Sequence, residues 1–412
     1  MNFPLYIATR YFKGGKSWNI IHWVSLVSLL GVSTGTAALI IVLSVFNGFE
    51  DIIRNLYNTF DPELKITLVQ GKSFSTDSIP ILAIRNIDGI LAAVEVIEEK
   101  VLMKYREKQY ISTLKGLSAD FEKVKRIDSM MIDGSFYLGD SLRDFIIPGA
   151  GVAYYLSVGL NDPTHPIELY SPSRRKGGMT NIAEAFNRAD AFPSGIFSIQ
   201  QDFDLNYTLA PISLAEKLTG YENRITSVEV YFIKGQNARL IKQKIQDLCG
   251  HQYLVSDRDE QQKDLVKIMK TEKWAIFIIL TFILIIASFN VISSISMIIL
   301  DKRKDIAILL SMGAGIKKVQ QIFLIEGLLI SLGGAVLGLL IGGLIAWAQQ
   351  TYGFVSLQSA GGSFVIDTYP VRLDAFHFLA VFLVVTGIGF IAAWLPARSI
   401  SKIGSARLIK TR

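Results

Sequence analysis

The chain has 412 residues, is 50% hydrophobic and carries a formal net charge of +6. Its mean hydropathy of +0.37 points to a membrane protein. The basic excess flanks apolar runs, which sets nucleic acid aside as a partner. A single cysteine, Cys249, excludes an internal disulfide, so any soluble portion must be stable through its own core.

Residues 1–19 put apolar and aromatic side chains on one helical face and end in Lys13 and Lys16. That pattern predicts a short helix in the membrane interface, with Trp18 and Trp23 at headgroup depth. The run 20–46 exceeds the ~20 residues a helix needs to cross the hydrocarbon layer. Its apolar core is longer than a cleaved signal's ~7–15 residues, so it reads as a retained anchor. Within it, Gly31 and Gly35 are one turn apart, a spacing that lets another helix approach closely.

Residues 47–273 have ordinary soluble composition and read as mixed α and β. Residues 64–69 and 226–233 are strand-like; 213–219 and 238–248 are helical in pattern; 161–166 is a turn. Segment 171–195 is polar, contains Arg174-Arg175-Lys176, and lies between strand-like runs at 167–170 and 195–200. It suits either a protruding hairpin or an open loop. Residues 257–273 form a charged helical stalk leading into the second apolar run, 274–300.

Segment 301–321 begins with Asp301-Lys302-Arg303-Lys304-Asp305 and continues as a short apolar helix, stopped at Gly313-Ala314-Gly315. Asp305, Ile308, Leu309, Met312, Gly313 and Ala314 are expected to dock on a cytoplasmic partner, since an open loop has no need of such a helix. The third run, 322–348, carries Gly327, Ser331, Gly334, Gly338 and Gly342 at spacings of three and four, a smooth face for packing. After a loop at 349–374 comes the fourth run, 375–395, and a tail, 396–412. Lys and Arg flank these runs at 13–16, 302–318 and 398–412, which puts both termini and the 301–321 loop on the cytoplasmic side. The expected fold is therefore an α-helical membrane protein with four transmembrane helices and a large mixed α/β extracytoplasmic domain between helices one and two.

Catalytic signatures are missing. Gly15-Lys16-Ser17 and Gly71-Lys72-Ser73 mimic the end of a phosphate-binding loop, but Arg10 and Ile66 stand where the first glycine is required. Four scattered histidines and one cysteine offer no metal cluster, and no G-x-S-x-G elbow occurs. Glu326 is the one ionisable group placed for an ion path.

Residues 6–13 and Leu43-Ser44-Val45-Phe46-Asn47-Gly48-Phe49-Glu50 are similar to the lipoprotein-releasing ABC transporter permeases. The same holds for Asn290-Val291-Ile292-Ser293-Ser294-Ile295-Ser296-Met297, for residues 302–314, for Ile322-Phe323-Leu324-Ile325-Glu326-Gly327 and for Leu395-Pro396-Ala397-Arg398. The loop after the second helix marks the wider superfamily of division-linked and macrolide-efflux permeases; Asn47–Glu50 narrows it to the lipoprotein-releasing branch.

The resemblance implies a non-catalytic subunit of the bacterial inner membrane with a periplasmic domain. It implies pairing with a second permease, identical or paralogous, and binding of a cytoplasmic ABC ATPase dimer that holds the ATP and Mg. This chain itself is expected to bind no cofactor. Lipoproteins would enter between the helices from the outer leaflet of the inner membrane and pass to a periplasmic lipoprotein carrier. Location then assigns lipoprotein access to Val32, Leu39, Val42, Leu43, Phe46, Asn47 and Phe49, with Arg174, Arg175 and Lys176 in the place of the family's carrier-gripping hook. Two departures stand out: the hook residues differ from the family pattern, and Gly404 replaces a usual proline. The alternative is a related permease that transmits ATP-driven motion to a periplasmic hydrolase or efflux partner. A sensory receptor would call for a longer cytoplasmic output segment, and a membrane enzyme for a polar constellation at membrane depth.

Overall fold

The computed structural model describes residues 4, 6–9, 20–124, 130–139, 143–160, 162, 164–174, 185–233, 235–356 and 368–401. The chain folds as two compact units, Met1–Ile52 with Lys267–Arg412, and Ile53–Val266. Among the described residues four helices are long and apolar enough to cross a membrane: α1 (Ile20–Phe60), α8 (Lys263–Asp301), α10 (Ile316–Tyr352) and α11 (Ala375–Arg398). The short helix α9 (Arg303–Ser311) joins α8 to α10. α1 continues beyond its apolar run to Phe60. Of residues 1–19, the few described ones are helical, and Ala8 is buried within the membrane bundle's core.

The α/β unit contains the strands β1 (Leu64–Leu68), β2 (Phe74–Ser75), β3 (Ile90–Tyr105), β4 (Lys108–Leu117), β5 (Met131–Gly134), β6 (Phe145–Pro148) and β7 (Ile167–Pro172). These are followed by β8 (Phe186–Pro193), β9 (Gly195–Phe197), β10 (Tyr207–Pro211), β11 (Arg224–Ile225), β12 (Ser227–Phe232) and β13 (Tyr253–Asp257). Its helices are α2 (Ile81–Arg85), α3 (Ala150–Leu156), α4 (Gln201–Asn206), α5 (Ile212–Thr219), α6 (Ala238–Cys249) and α7 (Arg258–Gln261). Nine strands form one sheet in the order β13-β1-β12-β3-β4-β10-β6-β8-β7, and β7 also pairs with β3. The two expected strands at 64–69 and 226–233 are antiparallel neighbours, Leu64 opposite Val230. The two longest strands, β3 and β4, escape the sequence reading. They join through Arg106-Glu107, with Arg106 at φ +54°, the left-handed conformation that a two-residue hairpin demands.

Segment 171–195 is a hairpin: β7 and β8 pair antiparallel from Ile167–Ala191 to Pro172–Phe186, and its tip lies outside the described residues. The stalk is not one helix. Asp257 caps α7 through a capping box with Glu260, and the chain turns at Gln262 before α8 begins.

One feature of the sheet breaks the rule that charges stay outside. Lys65, Glu229, Glu98 and Lys115 come from the four adjacent strands β1, β12, β3 and β4. Lys65 Nζ lies 3.0 Å from Glu98 and 4.0 Å from Glu229, while Lys115 Nζ lies 2.9 Å from Glu229 and 3.9 Å from Glu98, closing a ring. Glu229 is fully buried, and its other oxygen accepts from the Tyr231 hydroxyl. Phe60 covers the ring, with Lys115 Nζ 4.3 Å from its centroid. Burial opposes charge on Glu98, yet Lys65 and Lys115 hold its carboxyl below the ordinary range. Burial likewise works against Lys65, and Glu98 and Glu229 more than offset it, raising its pKa. Burial, reinforced by Glu98, pushes Tyr207 up to about 12.

Candidate functional site

The membrane bundle is assembled through small residues. α10 presents its glycine face to α1: a Cβ added at Gly338 would lie 2.5 Å from the Ser33 carbonyl oxygen, and one at Gly342 would lie 2.9 Å from Ala37. Gly334 meets Val32 and the Leu29 carbonyl in the same way. Without water to drive association, such close backbone approach supplies the dispersion contacts that hold membrane helices together. Earlier in α10, Gly327 faces Ala393 of α11, and Ser331 faces Gly389. A Cβ added at Gly35 of α1 would lie 3.0 Å from Leu284 of α8, whereas one at Gly31 would lie 3.7 Å from Asn290. The Ser28 hydroxyl donates to the Asn290 carbonyl at 2.9 Å, adding a polar tie between α1 and α8. Glu326 is buried near the beginning of α10, and its Oε2 makes no hydrogen bond among the described residues.

Helix α9 is the second element. Lys302 precedes it, 3.7 Å from Asp305 in its first turn. Ile306 is buried and Leu309 packs partly on the bundle core, so one face of α9 is already satisfied. The other face is not: Ile308 is 57% exposed and Met312 79%. Gly313, at φ +87°, ends the helix, and the Ala314 amide donates to the Leu309 carbonyl at 3.0 Å. The result is an exposed apolar knob, Ile308 and Met312, in the short connection between α8 and α10.

The residues expected to admit a lipid anchor lie elsewhere. Val32, Leu39 and Leu43 are buried at 3%, 0% and 2%, in the same core cluster as Val291, Ala335 and Val381. Val42 and Phe46 are half-buried. In this arrangement Val32, Leu39 and Leu43 are packing residues of the bundle. The reason is the glycine face of α10, which draws α1 inward.

Asn47 and Phe49 enter a polar cluster that sequence reasoning missed. Lys273 Nζ donates to Asn47 Oδ1 at 2.8 Å and to Glu50 at 3.4 Å. Asn47 Nδ2 donates to His377 Nδ1 at 3.1 Å. Arg372 pairs with Asp51, and Phe49 meets Tyr369 edge to face at 5.3 Å. The signal available in the sequence was the run of polar residues closing an apolar helix, which had to find partners somewhere.

Of the three carrier-contact residues, Arg175 and Lys176 lie outside the described residues. Arg174 pairs with Glu99 and stacks 4.0 Å over the Tyr221 ring, so its guanidinium is turned back onto the domain.

Residues 277–404 match the family model described as FtsX-like permease C-terminal. Residues 277–404 are thus similar to the C-terminal membrane domain of FtsX-like permeases. Over nearly its whole length the chain is similar to the lipoprotein-releasing system transmembrane protein LolC of Neisseria meningitidis, 25% identical and covering 98% of each chain. It is also similar to LolE of Haemophilus influenzae, 22% identical over 100% of both. Among solved structures, the periplasmic region of MacB from Actinobacillus actinomycetemcomitans matches 50% of this permease and 95% of that chain, at 10% identity and a TM-score of 0.35.

Proposed function

We propose that this permease is the membrane subunit of a lipoprotein-releasing ABC transporter. The observation that carries the reading is similarity to LolC and LolE from end to end, through the bundle, the α/β domain and α9 alike. Physics makes such a machine necessary. Each buried methylene holds an acyl anchor by ~0.8 kcal/mol, so a lipoprotein with two or three chains does not leave the bilayer unaided. ATP hydrolysis falls to a partner ATPase that receives the Ile308–Met312 knob, and the α/β domain delivers the released protein to a soluble carrier. Val32, Leu39 and Leu43 serve the anchor once α1 and α10 separate. The decisive experiment is reconstitution of the permease with its ATPase in liposomes carrying a tri-acylated lipoprotein. ATP-dependent appearance of the lipoprotein in complex with a soluble carrier is expected; vigorous ATP turnover with no release would favour transmission of motion to another periplasmic partner.

In this reading α9 is cytoplasmic and the α/β domain periplasmic. With Cys249 replaced by alanine, a cysteine at Lys304 is expected to resist an impermeant thiol reagent in intact spheroplasts, and one at Glu107 to react. Labelling at Lys304 without permeabilisation would reverse the assigned orientation.

A further inference from the structure

The polar cluster at the end of the bundle where α1 leaves it has contacts beyond those of Asn47. The Arg372 amide donates to the Ser44 carbonyl at 2.9 Å, so the chain before α11 runs directly across the end of the apolar part of α1. Gly48 makes this crossing possible: a Cβ there would lie 2.5 Å from the Pro370 carbonyl carbon and 2.6 Å from the Val371 nitrogen. No other residue fits without displacing backbone. The same crossing segment is tied to α10, because Gln349 Nε2 donates to the carbonyls of Val355 at 3.0 Å and Tyr369 at 3.2 Å, and Gln349 Oε1 accepts from the Val355 amide at 2.9 Å. Lys273 brings in α8, and His377 with Asp374 brings in the first turn of α11. Asn47 is only 3% exposed and stands at the centre, its carboxamide accepting from α8 and donating to α11. All four membrane helices therefore meet in one set of contacts, which a purely apolar bundle end would not require.

We propose that residues 47–51, Lys273 and the 369–377 segment form a releasable clasp that holds this end of the bundle shut, and that the transport cycle must open it. Its bonds suit release. They are side-chain ion pairs and amide hydrogen bonds at the end of the apolar run of α1, and the exposed Arg372–Asp51 pair in particular can exchange its partner for water at little cost. The buried glycine contacts deeper in the bundle have no such substitute. Opening here frees the ends of α1 and α11 together, which is the separation that buried Val32, Leu39 and Leu43 require before anything can reach them.

The clasp rests on the reading of the chain as an ATP-driven permease, and its test does not depend on which cargo is carried. Asp51→Cys and Arg372→Cys are combined with Cys249→Ala in the permease–ATPase complex in nanodiscs, and a short reducible bis-thiosulfonate is added. Bridging is expected to lower ATP turnover about tenfold, as locking a required conformational step does, with recovery on reduction. Each single-cysteine variant is measured with and without the reagent, and its own rate should not change on treatment. Undiminished turnover in the bridged complex overturns the clasp as a moving part. Failure of the pair to bridge with or without nucleotide overturns its geometry. If the complex hydrolyses ATP and is arrested by the bridge, yet releases no lipoprotein before bridging, the cargo assignment fails while the clasp stands.

Discussion

Replacing Met312 with aspartate is expected to detach the ATPase while leaving the permease folded. The side chain is 79% exposed and stands one turn from Ile308, beyond the face of α9 that Ile306 and Leu309 use to pack on the bundle. Among the described residues nothing needs Met312 apolar; in the proposed function a groove on the ATPase does. Anchors of this kind dominate interfaces, and burying a carboxylate in place of a thioether should cost at least ~2 kcal/mol, roughly thirtyfold in affinity. Copurification of the ATPase from detergent and ATP hydrolysis by the complex should fall together. Lys304→Ala, on the same helix but outside the apolar knob, should leave both within about twofold, because exposed charges contribute little. Normal copurification and turnover of Met312→Asp would refute the docking role of α9.

The second large effect is expected in the α/β domain. Glu229→Leu removes the fully buried carboxylate that lies between Lys115 at 2.9 Å and Lys65 at 4.0 Å, leaving two ammonium groups facing Glu98 alone. Breaking a buried pair from one side typically costs ~3–5 kcal/mol, since the remaining charge loses its compensation. A double change to leucine at Glu229 and Lys115 should recover much of that loss, leaving Lys65 and Glu98 paired at 3.0 Å. Cys249 supplies the probe: it is buried in the same domain, and burial pushes its thiol up to about 11, so it labels slowly until the domain opens. Its labelling in urea should shift to lower denaturant in Glu229→Leu and return most of the way in the double variant. An unchanged midpoint in the single variant would mean that the ring contributes nothing.

The sign of its pH dependence follows from the two shifted groups. Glu98 is held below its ordinary 4.5, so its contribution is present above that value and disappears as pH falls through the folded pKa. Lys65 is raised above its ordinary 10.5, so its contribution is full below that value and is lost as pH climbs through the folded one. The ring is therefore at full strength across the neutral range.

Much of the membrane portion is legible in the amino-acid order, because hydrocarbon thickness imposes a length criterion on each helix by itself. The short α9 with its Gly313 stop, and the glycine spacing of α10, are local patterns of the same sort. What local pattern leaves open is the partner of each face. Gly334, Gly338 and Gly342 announce a packed surface, but only the assembled bundle shows α1 on it, and that choice places Val32, Leu39 and Leu43 in the core. Asn47-Gly48-Phe49-Glu50 is conspicuous in sequence, whereas its partners Lys273, Tyr369, Arg372 and His377 lie hundreds of residues away and carry no mark of it. Lys65 and Glu229 carry no mark within their strand-like runs, and Glu98 and Lys115 lie in the two strands that escape the sequence reading. The four become a buried ring because β1, β12, β3 and β4 are neighbours in the sheet, and strand order is a non-local property: hydrogen bonds between strands are alike whichever residues make them, so only packing of the whole sheet selects who lies beside whom.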